Sequence, residues 1–433
     1  MSNPRLIYVH QYFTIPVVAG GSRSWEFCNR LVRDGWHVSM ICSNSEIPDL
    51  SEAEILEFYQ EYKGQFKLNA IELNYSNHMG YSRRILAFIS FALKSSLQVL
   101  REPKTDLTFA TSTPLTIVIP ALLRKWLRGT PYVFEVRDLW PEVPIAVKAI
   151  RSPLAIFLAR KLEWIAYQNA AHIVALSPGM KEGIINQGIP AEKVTVIPNA
   201  CDNQRFNVPE TVGFDFLRQH PELSGSPLII YAGALGYVNG VSYLAHLASH
   251  MKNLMPQVKF LVVGSGACEN EVRKVSHELG IFEKNFWIWP RIPKTEMPAL
   301  LSACTVATSL FVPNSAMENN SANKFFDALA AGRPVAINYG GWQKEILEQS
   351  GAGISIPGDD PAAGAIQLAN FLDNREGLQS ARSAARKLAD TEFDRDLLYE
   401  KLASVFQQVL NVKQQSIENR FQTHRDASFQ DNR

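Results

Sequence analysis

The chain has 433 residues, 46% of them apolar and 20% charged, enough to bury a large core and too apolar for disorder. That length predicts two or three domains. Lys plus Arg number 43 against 42 Asp plus Glu, a net charge of +1, which argues against nucleic acid as the main partner.

The first half alternates short apolar runs with helical patterns. Residues 6–9 read as a buried strand, 25–33 as a helix closed by the C-cap signal Asp34-Gly35, and 38–42 as a second strand. Residues 107–110, 132–136, 172–176 and 194–197 are further strands, most of them separated by helical segments. Residues 202–227 are irregular and rich in Pro, Gly and Asn, and read as a linker. A second alternation follows, with strands at 228–231, 260–263, 286–289, 306–310 and 334–337. Its helices fall near 241–252, 268–279, 294–302 and 324–331. Residues 393–410 read as a long amphipathic helix, and the polar tail after Gln414 as frayed. Strands alternating with helices predict βαβ units and parallel sheets. The expected fold class is α/β, with two doubly wound Rossmann-like domains facing across a cleft.

Cys28, Cys42, Cys201, Cys268 and Cys304 lie far apart with no C-x-x-C pair. They read as reduced thiols of a cytosolic protein, not as a disulfide framework or a zinc site. No secretory signal is read at the start of the chain, and the best apolar stretch, 85–93, is too short to span a bilayer.

In doubly wound sheets ligands bind at the carboxyl ends of strands, near helix N-termini. Four segments fall at such places. Gly20-Gly21-Ser22 opens the first helix, where free N–H groups and a partial positive charge suit phosphate. An ordinary loop with Ser22 as N-cap is an equal reading. Gly264-Ser265-Gly266 follows the strand at 260–263 and allows either close backbone approach to a nucleotide or a tight turn. Neither loop completes G-x-G-x-x-G, which disfavours a nicotinamide dehydrogenase. Residues 135–142 (EVRDLWPE) put Arg137 and Asp138 at a strand end, aimed at a cleft or tied up in a salt-bridged loop. In residues 318–334 (ENNSANKFFDALAAGRP) a polar loop opens a helix. The loop's amides and Lys324 can hold a diphosphate. Asp327, about one turn in, can accept hydrogen bonds from ribose or complement the helix dipole.

Residues 323–334 (NKFFDALAAGRP) resemble the C-terminal motif of retaining glycosyltransferases of family 4, which have the GT-B fold. Residues 136–142 (VRDLWPE), the opening 8–13 (YVHQYF) and Gly20-Gly21 resemble a bacterial subgroup, the fucosamine-type transferases of O-antigen and capsule assembly. Ser177-Pro178-Gly179-Met180, residues 196–202 and Tyr231-Ala232-Gly233 match in order, so the resemblance covers roughly residues 5–412. It implies an acceptor-side domain at 1–205 and a nucleotide-sugar-binding domain at 206–390. A helix at 391–412 then returns to the first domain, leaving a polar tail at 413–433.

The resemblance further implies transfer, with retention, of an N-acetylated or deoxy hexosamine from a UDP-linked donor to a lipid-linked or glycan acceptor. The family's two glutamates stand eight positions apart. The second aligns with Asp327 and the first with Asn319, while Glu318 is one residue off, so either can fill the first place. An Arg and a Lys that neutralise the diphosphate in family members fall at Ala234 and Asn239, within the loop 233–240, and both are lost. Lys324, Arg137 and helix N-termini remain to compensate. Arg291 lies where the family's backbone reads the nucleobase. The implied catalytic residues are Asp138, Glu318 and Lys324. The implied donor-binding residues are Gly20, Gly21, Arg137, Gly233, Gly264, Arg291, Asn319, Ser321, Asn323 and Asp327.

No cofactor or metal is expected, because the single D-x-D, Asp394-Arg395-Asp396, begins the late helix and reads as a cap. Basic apolar stretches at 83–94, 122–128 and 157–164 are either core helices with solvated charges or contacts with a membrane surface. The expected location is cytoplasmic, peripheral on the membrane face. Two alternatives stay open. One is a nucleotide-sugar 2-epimerase of the same fold, although no clear set of acidic and histidine residues marks it. The other is a non-catalytic binder, kept open by the lost Arg and Lys.

Overall fold

Seven parallel strands make the first sheet: β1 (Arg5–Val9), β2 (His37–Ser43), β3 (Phe66–Ile71), β4 (Leu107–Thr111), β5 (Tyr132–Val136), β6 (His172–Ala175) and β7 (Val194–Val196). Their order across the sheet is β3-β2-β1-β4-β5-β6-β7. The structure is a computed structural model and describes residues 3–15, 23–47, 64–75, 79–138, 140–142, 145 and 150–430. Every residue of β4, β5 and β6 is buried, because helices cover both faces of the sheet. That is why these strands read as mostly apolar runs, interrupted by the buried Thr108, Thr111, Glu135 and His172, instead of an alternation.

The second sheet has six parallel strands: β8 (Leu228–Ala232), β9 (Lys259–Val263), β10 (Phe286–Trp289), β11 (Val306–Ser309), β12 (Val335–Ile337) and β13 (Gly353–Ser355). Their order is β10-β9-β8-β11-β12-β13. In each sheet the winding reverses once, between β1 and β4 and between β8 and β11. Loops leave the two strands of such a pair in opposite directions and open a crevice at the carboxyl ends. The twin doubly wound lobes are the GT-B architecture expected from the sequence.

Three expectations need correction. The stretch read as a linker contains the helix Glu210–Gln219. Gly213 lies inside it because a Cβ there would sit 2.5 Å from the Ser302 carbonyl, so the glycine serves close packing against the helix Met297–Ala303. The second series does not close at β12, since β13 follows, with the helices Trp342–Ser350, Pro361–Asp373 and Arg375–Thr391. The tail read as frayed is helical backbone, one helix running from Arg395 to Gln430. Its sequence carries neither Gly nor Pro to stop it.

That last helix joins the lobes. The helix before it buries Ala385 and Ala389 in the second lobe, together with Phe393. The chain then crosses, and Leu398, Leu402, Val405, Phe406 and Val409 enter the core of the first lobe. Phe406 lies 5.7 Å from the Trp36 ring and 5.1 Å from that of Phe109. At the crossing, Asp394 caps the helix by accepting from the amides of Asp396 (2.8 Å) and Leu397 (3.3 Å). The D-x-D motif is therefore a cap. A second crossing runs alongside, where the Asn203 amide donates to Asp394 Oδ2 at 2.9 Å.

Removing the Phe406 ring should leave a cavity between Trp36 and Phe109. Phe406→Ala is expected to lose about 3–5 kcal/mol of stability. Denaturant unfolding followed by tryptophan fluorescence checks this.

Candidate functional site

The cleft is built from strand ends. His10 and Tyr12 follow β1, Thr113 follows β4, and Arg137 and Asp138 follow β5. They face Val238, Phe311 and the loop running through Met317 to Asn323 across a cavity of about 390 Å³. Hydrogen bonds between the lobes close one side of it. Ser177 Oγ donates to the Asn319 carbonyl at 2.8 Å, and the Asn199 amide donates to Ser321 Oγ at 3.0 Å. The Asn199 side chain also donates to the Ser321 carbonyl.

Behind the first rim lies a buried polar network. Arg23 pairs with Glu135 at 2.9 Å, both almost fully buried. The same guanidinium donates to the carbonyls of Ile197 (2.9 Å) and Pro198. Thr111 donates to the other Glu135 oxygen at 3.1 Å. Tyr8 donates to Ser24 at 2.9 Å, and Ser24 Oγ lies 2.8 Å from His10 Nδ1. Arg137 Nη1 stands 3.4 Å from His10 Nε2. A guanidinium only donates, so Nε2 accepts and the proton is assigned to Nδ1. Burial, reinforced by Arg137, holds the His10 imidazole well below its usual range, so the ring is neutral. The cationic member of this rim is Arg137, not His10. Thr113, with its backbone in the left-handed region at φ 95°, donates to Asp138 Oδ2 at 3.0 Å and fixes that carboxylate.

On the other rim the helix Asn323–Ala330 begins at Ala322, and no side chain caps it. Its first amides carry the positive end of the dipole. Lys324 is half-buried, its ammonium 5.0 Å from the ring centroids of both Tyr231 and Phe311. It lies 3.3 Å from the Tyr231 hydroxyl. With the Asn239 amide oriented to face it with its oxygen, the Lys324 to Asn239 contact is 3.0 Å. Lys324 thus reaches the underside of the loop that lost its basic residues. Burial pushes its pKa down to about 7.

The structure brings some sequence-predicted residues together and separates others. Arg137, Asp138, Asn319, Ser321 and Asn323 line one cavity. Lys324 sits behind it, beneath the loop after β8 that Gly233 opens. Gly20 and Gly21 lie outside the described residues. Four others stand apart from this cavity. Glu318 faces a different groove, packed on Gly340 and Gly341, because Asn319 takes the inward position against Gly179. Asp327 turns to a small internal cavity with Lys294, Glu26 and Arg395. Gly264 meets the Gly233 carbonyl, not the cavity, since a Cβ there would lie 1.9 Å from that oxygen. Arg291 is exposed and does not line the cleft. His10, Tyr12, Thr113, Asn199 and Phe311 line the cleft without having been assigned to it. Their one signal was position directly after strands or within matched segments.

Comparison with known proteins agrees with this geometry. A glycosyl transferase 4-like domain matches residues 19–200, and glycosyl transferases group 1 matches residues 214–388. WcaI of Escherichia coli K12, named as a glycosyl transferase of colanic acid biosynthesis, is 24% identical over 225 residues, 51% of this chain and 54% of WcaI. A GDP-mannose-dependent phosphatidylinositol monomannoside mannosyltransferase of Mycobacterium tuberculosis is 23% identical over 216 residues, 49% of this chain and 56% of that one. The chain thus spans about half the length of the curated relatives it matches. The Anabaena HepE structure in complex with UDP and glucose superposes with a TM-score of 0.70 at 17% identity, covering 94% of this chain and 100% of HepE.

Leaving Arg23 buried without its partner should be costly. Glu135→Ala is expected to lose about 3–5 kcal/mol, whereas the double variant Arg23→Leu, Glu135→Leu should lose far less. Thermal and denaturant unfolding of the two variants decides this.

Proposed function

We propose, from the premise that this chain belongs to the glycosyltransferases of the GT-B fold, that it moves a sugar from a nucleoside diphosphate donor to an acceptor hydroxyl in the cleft between its lobes. The observation that carries this reading is one pair of facing rims. An uncapped helix N-terminus with Lys324 stands on one side, and Arg137 with Asp138 on the other.

As the bond from sugar to phosphate breaks, negative charge gathers on the diphosphate and positive charge on the ring. Helix amides, the Asn-rich loop, Lys324 and Arg137 are fixed donors aimed at the departing diphosphate. Each such donor is worth about 3–4 kcal/mol in the transition state. The acceptor hydroxyl attacks from the leaving group's own face, and its proton passes to a diphosphate oxygen as the new C–O bond forms. Asp138, fixed by Thr113, orients a hydroxyl of acceptor or sugar. Asn319 cannot act as a base, which fits retention without a base on the far face. Charge stabilisation by these groups is the basis for proposing metal-independent transfer.

We assign UDP as the nucleotide, from the subgroup resemblance and from the nucleotide held by HepE. The sugar is an N-acetylated or deoxy hexosamine, and the acceptor a lipid-linked or other glycan. Cell-surface polysaccharide synthesis at the cytoplasmic membrane face is the setting, in line with the name of WcaI and with the O-antigen and capsule subgroup. A panel of UDP-, GDP- and ADP-sugars with a lipid-linked acceptor, read by nucleoside diphosphate release, tests this. Release from GDP-sugars alone overturns the nucleotide. Tight binding without release in any arm overturns the activity.

Arg137→Ala should lower kcat by about 10²–10³. Asp138→Asn with full turnover would remove Asp138 from the mechanism. Lys324 gives a pH signature. In the free protein its pKa is about 7, and a diphosphate beside it raises that value. Above pH 7, binding must therefore take up a proton, and UDP affinity should fall by up to about tenfold per pH unit. Calorimetry in buffers of different ionisation enthalpy detects the proton, and Lys324→Met should abolish it.

A further inference from the structure

We propose that three helices of the first lobe, Tyr81–Arg101, Val118–Arg128 and Pro153–Asn169, form one face that docks on an anionic lipid bilayer beside the mouth of the cleft. The first two pack together along their lengths. The second is tied to the third at its end, where Lys125 Nζ donates to the Asn169 carbonyl at 2.7 Å and Trp126 Nε1 to its side chain at 3.4 Å.

Each helix is apolar on its outer side as well as its inner one. Tyr81–Arg101 buries Phe91, Ser95 and Val99, yet turns Leu86, Ile89, Leu93 and Leu97 outward at a spacing of three to four residues. Leu86 and Leu93 are 66% and 63% exposed. The second helix ends in the exposed pair Trp126 and Leu127, and the third exposes Leu154, Phe157 and Leu158. A helix that faces water keeps its outer stripe polar, and contiguous exposed apolar surface marks a contact.

Charge identifies the occupant. The three helices carry nine Lys and Arg and one acidic residue, in a chain whose totals are 43 and 42. That one acid, Glu163, is buried and accepts from the Tyr167 hydroxyl at 2.9 Å. Arg83, Lys94, Arg101, Arg128, Arg160 and Lys161 are exposed among the apolar side chains. A second copy would bring the same cations against this face, so charge opposes a symmetric dimer. Anionic headgroups complement it, while the leucines and aromatics enter the acyl boundary. Among the described residues no helix is long and apolar enough to cross a membrane, so the face lies on the bilayer.

The helices that carry the face reach the cleft through side-chain contacts. Tyr12 lines the cavity, and its ring lies 5.2 Å from Tyr75, which is 6.0 Å from Phe88 of the first helix. On the third helix Arg160 pairs with Glu142 at 3.4 Å, close along the chain to Asp138. An acceptor anchored in the bilayer would present its head to Asp138 without leaving the lipid. The inference rests on the lipid-linked acceptor reading for its purpose but not for its test.

The test is flotation of the full chain with vesicles of phosphatidylcholine alone, or with one third phosphatidylglycerol, at low and high salt. Binding should be at least about tenfold stronger to the anionic vesicles at low salt, and high salt should weaken it. Leu93→Gln with Phe157→Gln, and separately Arg83→Glu with Lys161→Glu, should each lower binding about tenfold while UDP affinity stays unchanged. Equal partition into both vesicle types overturns the proposal, as does full binding by either double variant. So does a solution dimer that the apolar variant dissolves. Loss of UDP binding with vesicle binding intact would sink the transfer reading and leave the docking face standing.

Discussion

The guanidinium of Arg23 fixes the site. It is buried, and it is satisfied only when Glu135 at the end of β5 and the carbonyls of Ile197 and Pro198 stand together around it. A buried ion pair of this kind is a weak source of net stability, but an arrangement that breaks it strands a charge at a cost of several kcal/mol. Its value lies in position. Glu135 is two residues from Arg137, and Pro198 is one residue from Asn199. One side chain therefore sets both the cationic rim and the residue that grips Ser321 of the other lobe. Thr111, Tyr8 and Ser24 extend the same network to His10, so strand ends that are distant in sequence share one hydrogen-bonded frame.

The facing rim shows a complementary feature, local rules left unmet. Ala322 occupies an N-cap position that Ser, Asp or Asn would fill better. Ser321 stands one residue earlier, but its hydroxyl receives the Asn199 amide and is engaged between the lobes. The helix end is thus left open towards the cleft. Lys324 lies between two aromatic rings, where burial makes its charged form unfavourable. Unmet donors and a depressed ammonium are costs in the free protein that an anion would relieve, and such departures gather at functional sites.

Strands covered on both faces were legible from sequence, because their apolar runs need no partner to be recognised. The edge strand β3 buries only Phe66 and leaves its other residues half-buried or exposed, and β13 has three half-buried residues, so neither gives that signal. Gly213 made a helix look like a linker, since close packing between helices uses the same residue as a turn does. At the site, spacing identified the segment 318–334 but not the side of it that faces the cleft. Asn319 is the one that points inward, against Gly179 of the other lobe, while Glu318 packs on Gly340 and Gly341, and neither contact is written in the local spacing. Asp327 was placed correctly on its helix, but the helix turns that face towards Lys294 and Arg395, which the sequence puts 33 residues before it and 68 after. Contacts between lobes are the part a single-chain pattern cannot carry.

The near-zero net charge hides a strong local imbalance. Nine cations and one buried acid on three helices leave the rest of the chain acidic in balance, so the whole-chain total says little about any one surface. It remains sound against nucleic acid, but for a different reason than the total. A protein that tracks phosphates presents cations along a polar groove, where counterion release drives binding. Here the cations stand between exposed leucines, a phenylalanine and a tryptophan, which water penalises and a nucleic acid backbone does not cover. An anionic bilayer offers both kinds of contact at once, charge at its surface and hydrocarbon just beneath. The same reasoning accounts for the scarcity of acids on these helices, nine Lys and Arg standing against one Glu. An acid beside them would weaken the pull of the headgroups, and the one acid present is turned inward to Tyr167.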